Sequence, residues 1–311
     1  MEIIKVNDLT KRYGDFTAVD HVSFSVERGT MLAYLGVNGV GKTTVINMLA
    51  TLLTPDGGEA KVCGKSLGKE NEEIRRKIGI VYQQNCLDDI LTVRENLMCR
   101  GMIHGATRAE AKEQCTRLGK ILKLEGIMKK RVQMLSGGQK RKCEIAAALM
   151  HTPEILFLDE PTTGLDPATR ADVWETIESL RKMEGMTVFL TTHYMEEAAG
   201  AEQIIIMDHG NILASGTPFA LKEKFASDKL KLYCKEGKER QIMEMKDFLS
   251  SGNDVKGKLK LVDDHIIEAE IPATLQALPL IRQAEGMIEG FEVIQGSMDD
   301  MFLNAVGKEL A

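Results

Sequence analysis

The run Met31-Leu32-Ala33-Tyr34-Leu35-Gly36-Val37-Asn38-Gly39-Val40-Gly41-Lys42-Thr43-Thr44 decides the architecture. Its first five residues are an apolar stretch too short for a helix and without polar alternation, the pattern of a strand buried on both faces. The next eight fit the spacing G-x-x-x-x-G-K-[ST], and residues 43–53 behind them read as a helix. Chance gives such a match in roughly one in a hundred chains of this length. A strand, a glycine loop and a helix in that order bring successive backbone N–H groups onto a phosphate at the positive end of the helix. The dipole alone contributes ~0.3–1 kcal/mol, up to ~2 when partly buried, which is too little for a triphosphate. A cation and a metal must supply the rest. Lys42 is therefore assigned to the β- and γ-phosphates and the Thr43 hydroxyl to Mg²⁺, with Gly36, Asn38, Gly39, Gly41 and Thr44 completing the cradle.

Working outward, residues 78–82, 155–158 and 187–192 are further short apolar runs of the parallel-strand kind. Ile155-Leu156-Phe157-Leu158 ends in Asp159-Glu160, at the strand edge where α/β sheets bind ligands. Successive strand residues face opposite ways, so the two carboxylates should differ in role. Asp159 would hold Mg²⁺; Glu160 would orient or deprotonate the attacking water, a contribution of about 10²–10⁴ in rate. Ahead of the loop, the first 30 residues alternate apolar and polar around Gly14 and Arg28-Gly29, as antiparallel strands do. Residues 85–135 are charged and helical in texture, with 93–101 and 108–124 as helices. Residues 203–209 and 211–215 read as a hairpin. From 229 the chain reads as strand 229–234, helix 239–249, two strands around Asp263-Asp264, helix 272–284, strand 291–294 and helix 299–306, a separate small α+β domain.

Leu135-Ser136-Gly137-Gly138-Gln139 precedes an apolar helix at 143–150. Ser136 suits an N-cap, and the bare glycine amides make a second anion-binding helix start. On these residues the sequence resembles the nucleotide-binding subunits of ABC transporters. The resemblance covers about residues 1–225 and implies a mixed α/β P-loop cassette with a helical subdomain at about 85–150, followed by an accessory domain at 229–311. It also implies roles for single residues. Tyr13 is similar to the aromatic on which adenine stacks, Gln83 to the glutamine that meets metal and water, Asp166 to the D-loop aspartate, and His193 to the histidine that contacts the γ-phosphate. Taken singly, Tyr13 reads rather as a packed surface aromatic, Gln83 as a solvated polar group and His193 as a satisfied strand-end histidine, and the three phosphate-chemistry motifs in order reverse that reading. Val37, Val40, Tyr82 and Lys140-Arg141-Lys142 depart from the family's commoner residues, and none of them removes a catalytic group.

The resemblance implies two MgATP molecules sandwiched by a head-to-tail pair of cassettes, homodimeric or heterodimeric, with Ser136, Gly137, Gly138 and Gln139 of one closing on the nucleotide of the other. It implies an ATPase on the cytoplasmic face of a membrane, driving a permease on a separate chain. The strings around Glu160-Pro161-Thr162-Thr163 and His193-Tyr194-Met195-Glu196-Glu197 look most like the drug-, lipid- and polysaccharide-export branch. The alternative is a soluble ABC ATPase serving cluster assembly, ribosomes or DNA.

Composition bounds these expectations. The 311 residues carry 40 Lys and Arg against 46 Asp and Glu, a net charge of −6, which argues against a general nucleic-acid binder. Apolar runs such as Ile204-Ile205-Ile206-Met207 fall far short of the ~18–20 residues that span a bilayer. The N-terminus has no secretory pattern. The six cysteines are scattered, as in reduced cytosolic proteins.

Overall fold

Alternation in the first residues produces a long hairpin. β1 (Glu2–Tyr13) and β2 (Phe16–Glu27) pair antiparallel, with Tyr13 opposite Phe16 at the tip. Ile4, Val6 and Leu9 on one strand and Val19, Val22 and Val26 on the other are buried, while Lys5, Asn7, Asp8, His21 and Ser23 between them meet solvent. β4 (Gly57–Val62) and β5 (Lys65–Ser66) extend this sheet in the order β2-β1-β4-β5. These two strands escape sequence pattern: β4 opens on Gly57-Gly58, and Gly58 has φ 77. The computed structural model describes residues 1–238, 242, 259–271 and 274–307.

The short apolar runs form a six-stranded sheet. β3 (Met31–Leu35), β6 (Ile78–Val81), β7 (Ile155–Asp159) and β8 (Thr187–Thr192) occupy it with β9 (Gln203–Asp208) and β10 (Asn211–Gly216), in the order β10-β9-β3-β8-β7-β6. β3 runs parallel to β8 and β9, and β7 parallel to β6 and β8. Every residue of β3, β7 and β8 is buried, which explains their lack of alternation. Phe24 of β2 meets Tyr34 of β3 at 5.7 Å between ring centroids, and Phe189 lies 5.6 Å from Tyr34 and 5.4 Å from Phe157. Such pairs add about 0.5–1.5 kcal/mol each beyond burial, and the Phe24–Tyr34 pair joins the two sheets.

Helices fill the connections: α1 (Lys42–Leu49), α2 (Asn71–Arg75), α3 (Val93–Ile103), α4 (Arg108–Ile121), α5 (Gly137–Ala148), α6 (Pro167–Glu184) and α7 (Met195–Ala198). α3, α4 and α5 each open on a capping box, Thr92 with Glu95, Thr107 with Glu110 and Ser136 with Gln139. α1 stops earlier than the sequence suggests because Thr51 takes φ 64, and α4 likewise gives way before Lys123 at φ 56. α5 starts six residues earlier than the 143–150 reading, since Ser136 caps it directly.

The chain divides into two units, Met1–Ser215 and Gly216–Ala311. The division precedes the boundary between 225 and 229 that the sequence suggests. The cause lies in the second unit, where α8 (Pro218–Phe225) packs on α10 (Met298–Val306) and Asn304 Nδ2 donates to Phe225 O at 2.7 Å. This unit holds the antiparallel sheet β12 (Leu259–Asp263), β13 (Ile266–Ile271), β11 (Asp228–Cys234) and β14 (Ile288–Ile294), in that order. Leu230, Leu232, Ile267 and Ile271 face α9 (Ala277–Ala284) through Leu280 and Ala284 to form its core. Of the helix expected at 239–249 only Ile242 is among the described residues, buried in this core. No helix among the described residues is long and apolar enough to cross a membrane.

Candidate nucleotide site

Register assembles the site. Leu35 pairs with Thr192 and Asp159 with Thr191, so the loops after β3, β7 and β8 leave the sheet side by side. Glycine is needed in the first of these loops for two different reasons. A Cβ on Gly41, at φ 106, would lie 2.2 Å from the Ala18 carbonyl oxygen, whereas Gly39, at φ 87, faces open space and needs only the left-handed backbone. Gly41 is the N-cap of α1 with no side-chain cap, and the first turn carries no carboxylate. The first N–H groups of the helix are thus left to an anion.

A cavity of about 390 Å³ opens over this turn. Asn38, Gly39, Gly41, Lys42, Thr43 and Thr44 form its floor, and Tyr13, Gln83 and Glu160 its sides. Gly36 closes the loop from beneath by accepting from Lys42 Nζ at 2.7 Å, beside Val37 O at 3.1 Å. Lys42 is 4% exposed, and its Nζ lies 3.4 Å from Glu160 Oε1. Burial pushes Lys42 below the ordinary lysine range, and the Glu160 carboxylate opposes that shift.

Asp159 closes its strand and Glu160 stands in the turn after it, and the two carboxylates meet different partners. Thr43 Oγ1 donates to Asp159 Oδ1 at 3.1 Å, and Thr191 Oγ1 donates to the same oxygen at 2.6 Å. Thr43 and Asp159 converge as hard oxygen donors, the chemistry that Mg²⁺ takes. Glu160 adopts φ 46, a left-handed turn costing a residue with a side chain about 1–2 kcal/mol. The turn is held by its own N–H, which meets Thr191 O at 3.0 Å. It aims the carboxylate between Lys42, the Thr163 hydroxyl at 3.1 Å and His193, whose Nδ1 lies 3.3 Å from Oε2 without hydrogen-bond alignment.

The other site residues stand elsewhere. Ser136, Gly137, Gly138 and Gln139 are absent from the cavity wall and form the start of α5. Ser136 Oγ accepts from Gln139 N at 3.4 Å, and Gln139 Oε1 accepts from Ser136 N at 3.2 Å. Asp166 is spent on capping α6, accepting from Thr169 N at 3.1 Å and from the Thr169 hydroxyl. The two helix starts touch: a Cβ on Gly138 would lie 2.2 Å from Thr169 Cγ2. Thr169 cannot swing away without giving up Asp166. Gly138→Ala is therefore expected to cost about 0.5–2 kcal/mol, the range for a lost N-cap, read as a lower urea midpoint. An unchanged midpoint would refute this account.

Several residues in the site carried no sequence signal of their own. Phe16 and Ala18 join Tyr13 in the cavity wall because β1 and β2 pair there. Glu197, 3% exposed, accepts from Thr192 Oγ1 at 2.6 Å and from the Thr162 hydroxyl. It thereby ties the loop bearing Glu160 to the loop bearing His193. The polar run Thr162-Thr163 and Thr191-Thr192 at two buried strand ends was the available clue.

Comparison with known proteins fits this geometry. A family model described as ABC transporter matches residues 19–163, and one described as AAA domain, putative AbiEii toxin, Type IV TA system, matches residues 130–197. The daunorubicin/doxorubicin resistance ATP-binding protein DrrA of Streptomyces peucetius is 37% identical over 98% of this chain and 92% of its own length. The linearmycin resistance ATP-binding protein LnrL of Bacillus subtilis is 34% identical over 99% of each chain. Among solved structures, cbiO1 of Clostridium perfringens, part of the ABC transporter complex cbiONQ, superposes with a TM-score of 0.66 at 29% identity over 72% of this chain and 93% of its own. A dimeric ATP-binding cassette in a post-hydrolysis state bound to ADP and Pi superposes with a TM-score of 0.63 at 28% identity, covering 69% of this chain and 98% of its own.

Proposed function

The chain belongs to the ATP-binding family of ABC transporters, and from that membership we propose that it hydrolyses MgATP as one half of a head-to-tail cassette pair and drives export through a membrane-spanning partner on a separate polypeptide. Its activity is ATP hydrolysis. The observation that carries the finer reading is that Lys42, Thr43 and Glu160 line one cavity and that Asp159 and His193 are joined to it, through Thr43 and through Glu160. Lys42 and the first N–H groups of α1 bind the phosphates, Tyr13 takes the base, and Glu160 orients the attacking water and receives its proton. His193 contacts the γ-phosphate. Thr43 and Asp159, with Gln83 in the wall of the cavity that Thr43 lines, would hold Mg²⁺, which neutralises charge on the phosphate oxygens when bound. Ser136, Gly137, Gly138 and Gln139, set apart from the chain's own cavity, serve the nucleotide of the second cassette, with Asp166 near that interface.

Residues before the division at Ser215 are the cassette in this reading, and the remainder is an accessory unit. The names of the drug-resistance relatives support export of a drug-like compound, and membership of the family supports a place on the cytoplasmic face of the membrane. Purified protein is expected to hydrolyse MgATP and to co-purify from detergent-solubilised membranes with a multi-spanning subunit. Full ATPase activity in a complex lacking any membrane protein would favour a soluble ATPase instead.

A further inference from the structure

The loop that carries Gln83 has no strand or helix of its own, so its backbone groups need partners from elsewhere. Two side chains of α5 supply three of them. Arg141 Nη1 donates to Tyr82 O at 2.6 Å and Arg141 Nη2 to Gln83 O at 3.2 Å, while Glu144 Oε1 accepts from Cys86 N at 3.1 Å. The two side chains also bond each other, Arg141 Nη1 to Glu144 Oε2 at 2.9 Å, and both are more than nine-tenths buried. A fourth group, Cys86 O, accepts from Arg100 of α3 at 3.0 Å. Only a guanidinium has donors forked widely enough to hold two successive carbonyls and a carboxylate at once.

We propose that Arg141 and Glu144 are positioning residues that lock the Gln83 loop to α5, so that the nucleotide sensed by Gln83 in one cassette sets the angle at which that cassette's Ser136-Gly137-Gly138 end meets the nucleotide of the other. The inference rests on the head-to-tail reading above. Arg141 lies five residues beyond Ser136, about 8 Å along the helix axis, so the clamp and the glycine amides share one rigid rod. A displacement of the loop is carried to the interface without an intervening hinge. The Gln83 side chain itself stays free of the clamp, which grips main-chain atoms only. The two nucleotide sites are then coupled through this pair, and coupling of this kind is typically about 5–150-fold in affinity.

A buried ion pair can often be exchanged for apolar residues of similar volume at little cost in stability, while removal of one partner is strongly destabilising. This separates the clamp's packing from its linkage. The double variant Arg141→Met with Glu144→Leu is expected to keep the parent's urea midpoint and its affinity for MgATP at concentrations where it is monomeric. Its hydrolysis should lose cooperativity, the Hill coefficient falling from above 1 in the parent to 1, with a lower kcat. The single variant Arg141→Gln is expected to lose cooperativity and stability together. An apolar pair that hydrolyses with the parent's cooperativity, or a parent that hydrolyses without any, overturns the inference alone. A parent with no ATPase activity overturns the proposed function and the inference with it.

Discussion

Glu160→Gln is expected to bind MgATP and to turn it over about 10²–10⁴ times more slowly than the parent, the range for losing a positioned general base. The amide is isosteric with the carboxylate, so the Thr163 hydroxyl at 3.1 Å keeps an acceptor and the left-handed turn at Glu160 is undisturbed. What changes is charge. The carboxylate is 7% exposed and faces Lys42 Nζ at 3.4 Å, so its loss frees that ammonium for the phosphates and strengthens ATP binding. An amide cannot accept the proton of an attacking water, and the bound nucleotide persists. In the head-to-tail reading the variant accumulates as an ATP-bound dimer, visible by light scattering as a doubling of mass on adding MgATP. Hydrolysis at the parent rate would show that Glu160 is not the base.

Glu160 also marks how much could be read from the chain alone. Its strand, its neighbour Asp159 and the glycine loop were legible because each is a local pattern: a short apolar run, a strand end, a fixed spacing of glycines and a lysine. The two carboxylates meet different partners, Thr43 for Asp159 and Lys42 for Glu160, but it is the left-handed turn at Glu160, beyond the strand, and not strand alternation that sets the second of these. What sequence left out depends on pairing between distant segments. Phe16 enters the cavity wall only because β1 and β2 turn at Gly14, and Glu197 becomes a link only because β7 and β8 lie side by side. Arg141 read as a variant position in a basic triplet. Its role depends on a loop 58 or more residues earlier that the sequence gives no reason to place against it. The four-stranded sheet was half visible for the same reason, since the glycines of β4 hide its alternation and only the partner β1 reveals it.

Lys42→Met is expected to remove MgATP binding where Glu160→Gln retains it, and the contrast separates phosphate capture from chemistry. Methionine keeps an unbranched stem in the buried channel beneath the loop and deletes the ammonium that donates to Gly36 O and Val37 O. Hydrogen bonds to charged groups contribute about 1.5–3 kcal/mol each, so losing two such bonds to phosphate lowers affinity by about 10²–10⁴. The parent should also show a characteristic response to pH. Burial holds Lys42 below its ordinary value of 10.5, so the folded chain releases this proton at lower pH than the unfolded chain does. Between the two values the unfolded state binds more protons, and stability contributed by Lys42 rises with pH through that window. Nucleotide binding runs the other way. Phosphates favour the charged ammonium, so binding takes up a proton and ATP affinity falls as pH climbs through the depressed value. Titration calorimetry in two buffers of different ionisation heat, at one alkaline pH, reads that uptake directly. Proton uptake absent from the parent, or MgATP bound by Lys42→Met with the parent's affinity, would remove Lys42 from the phosphate site.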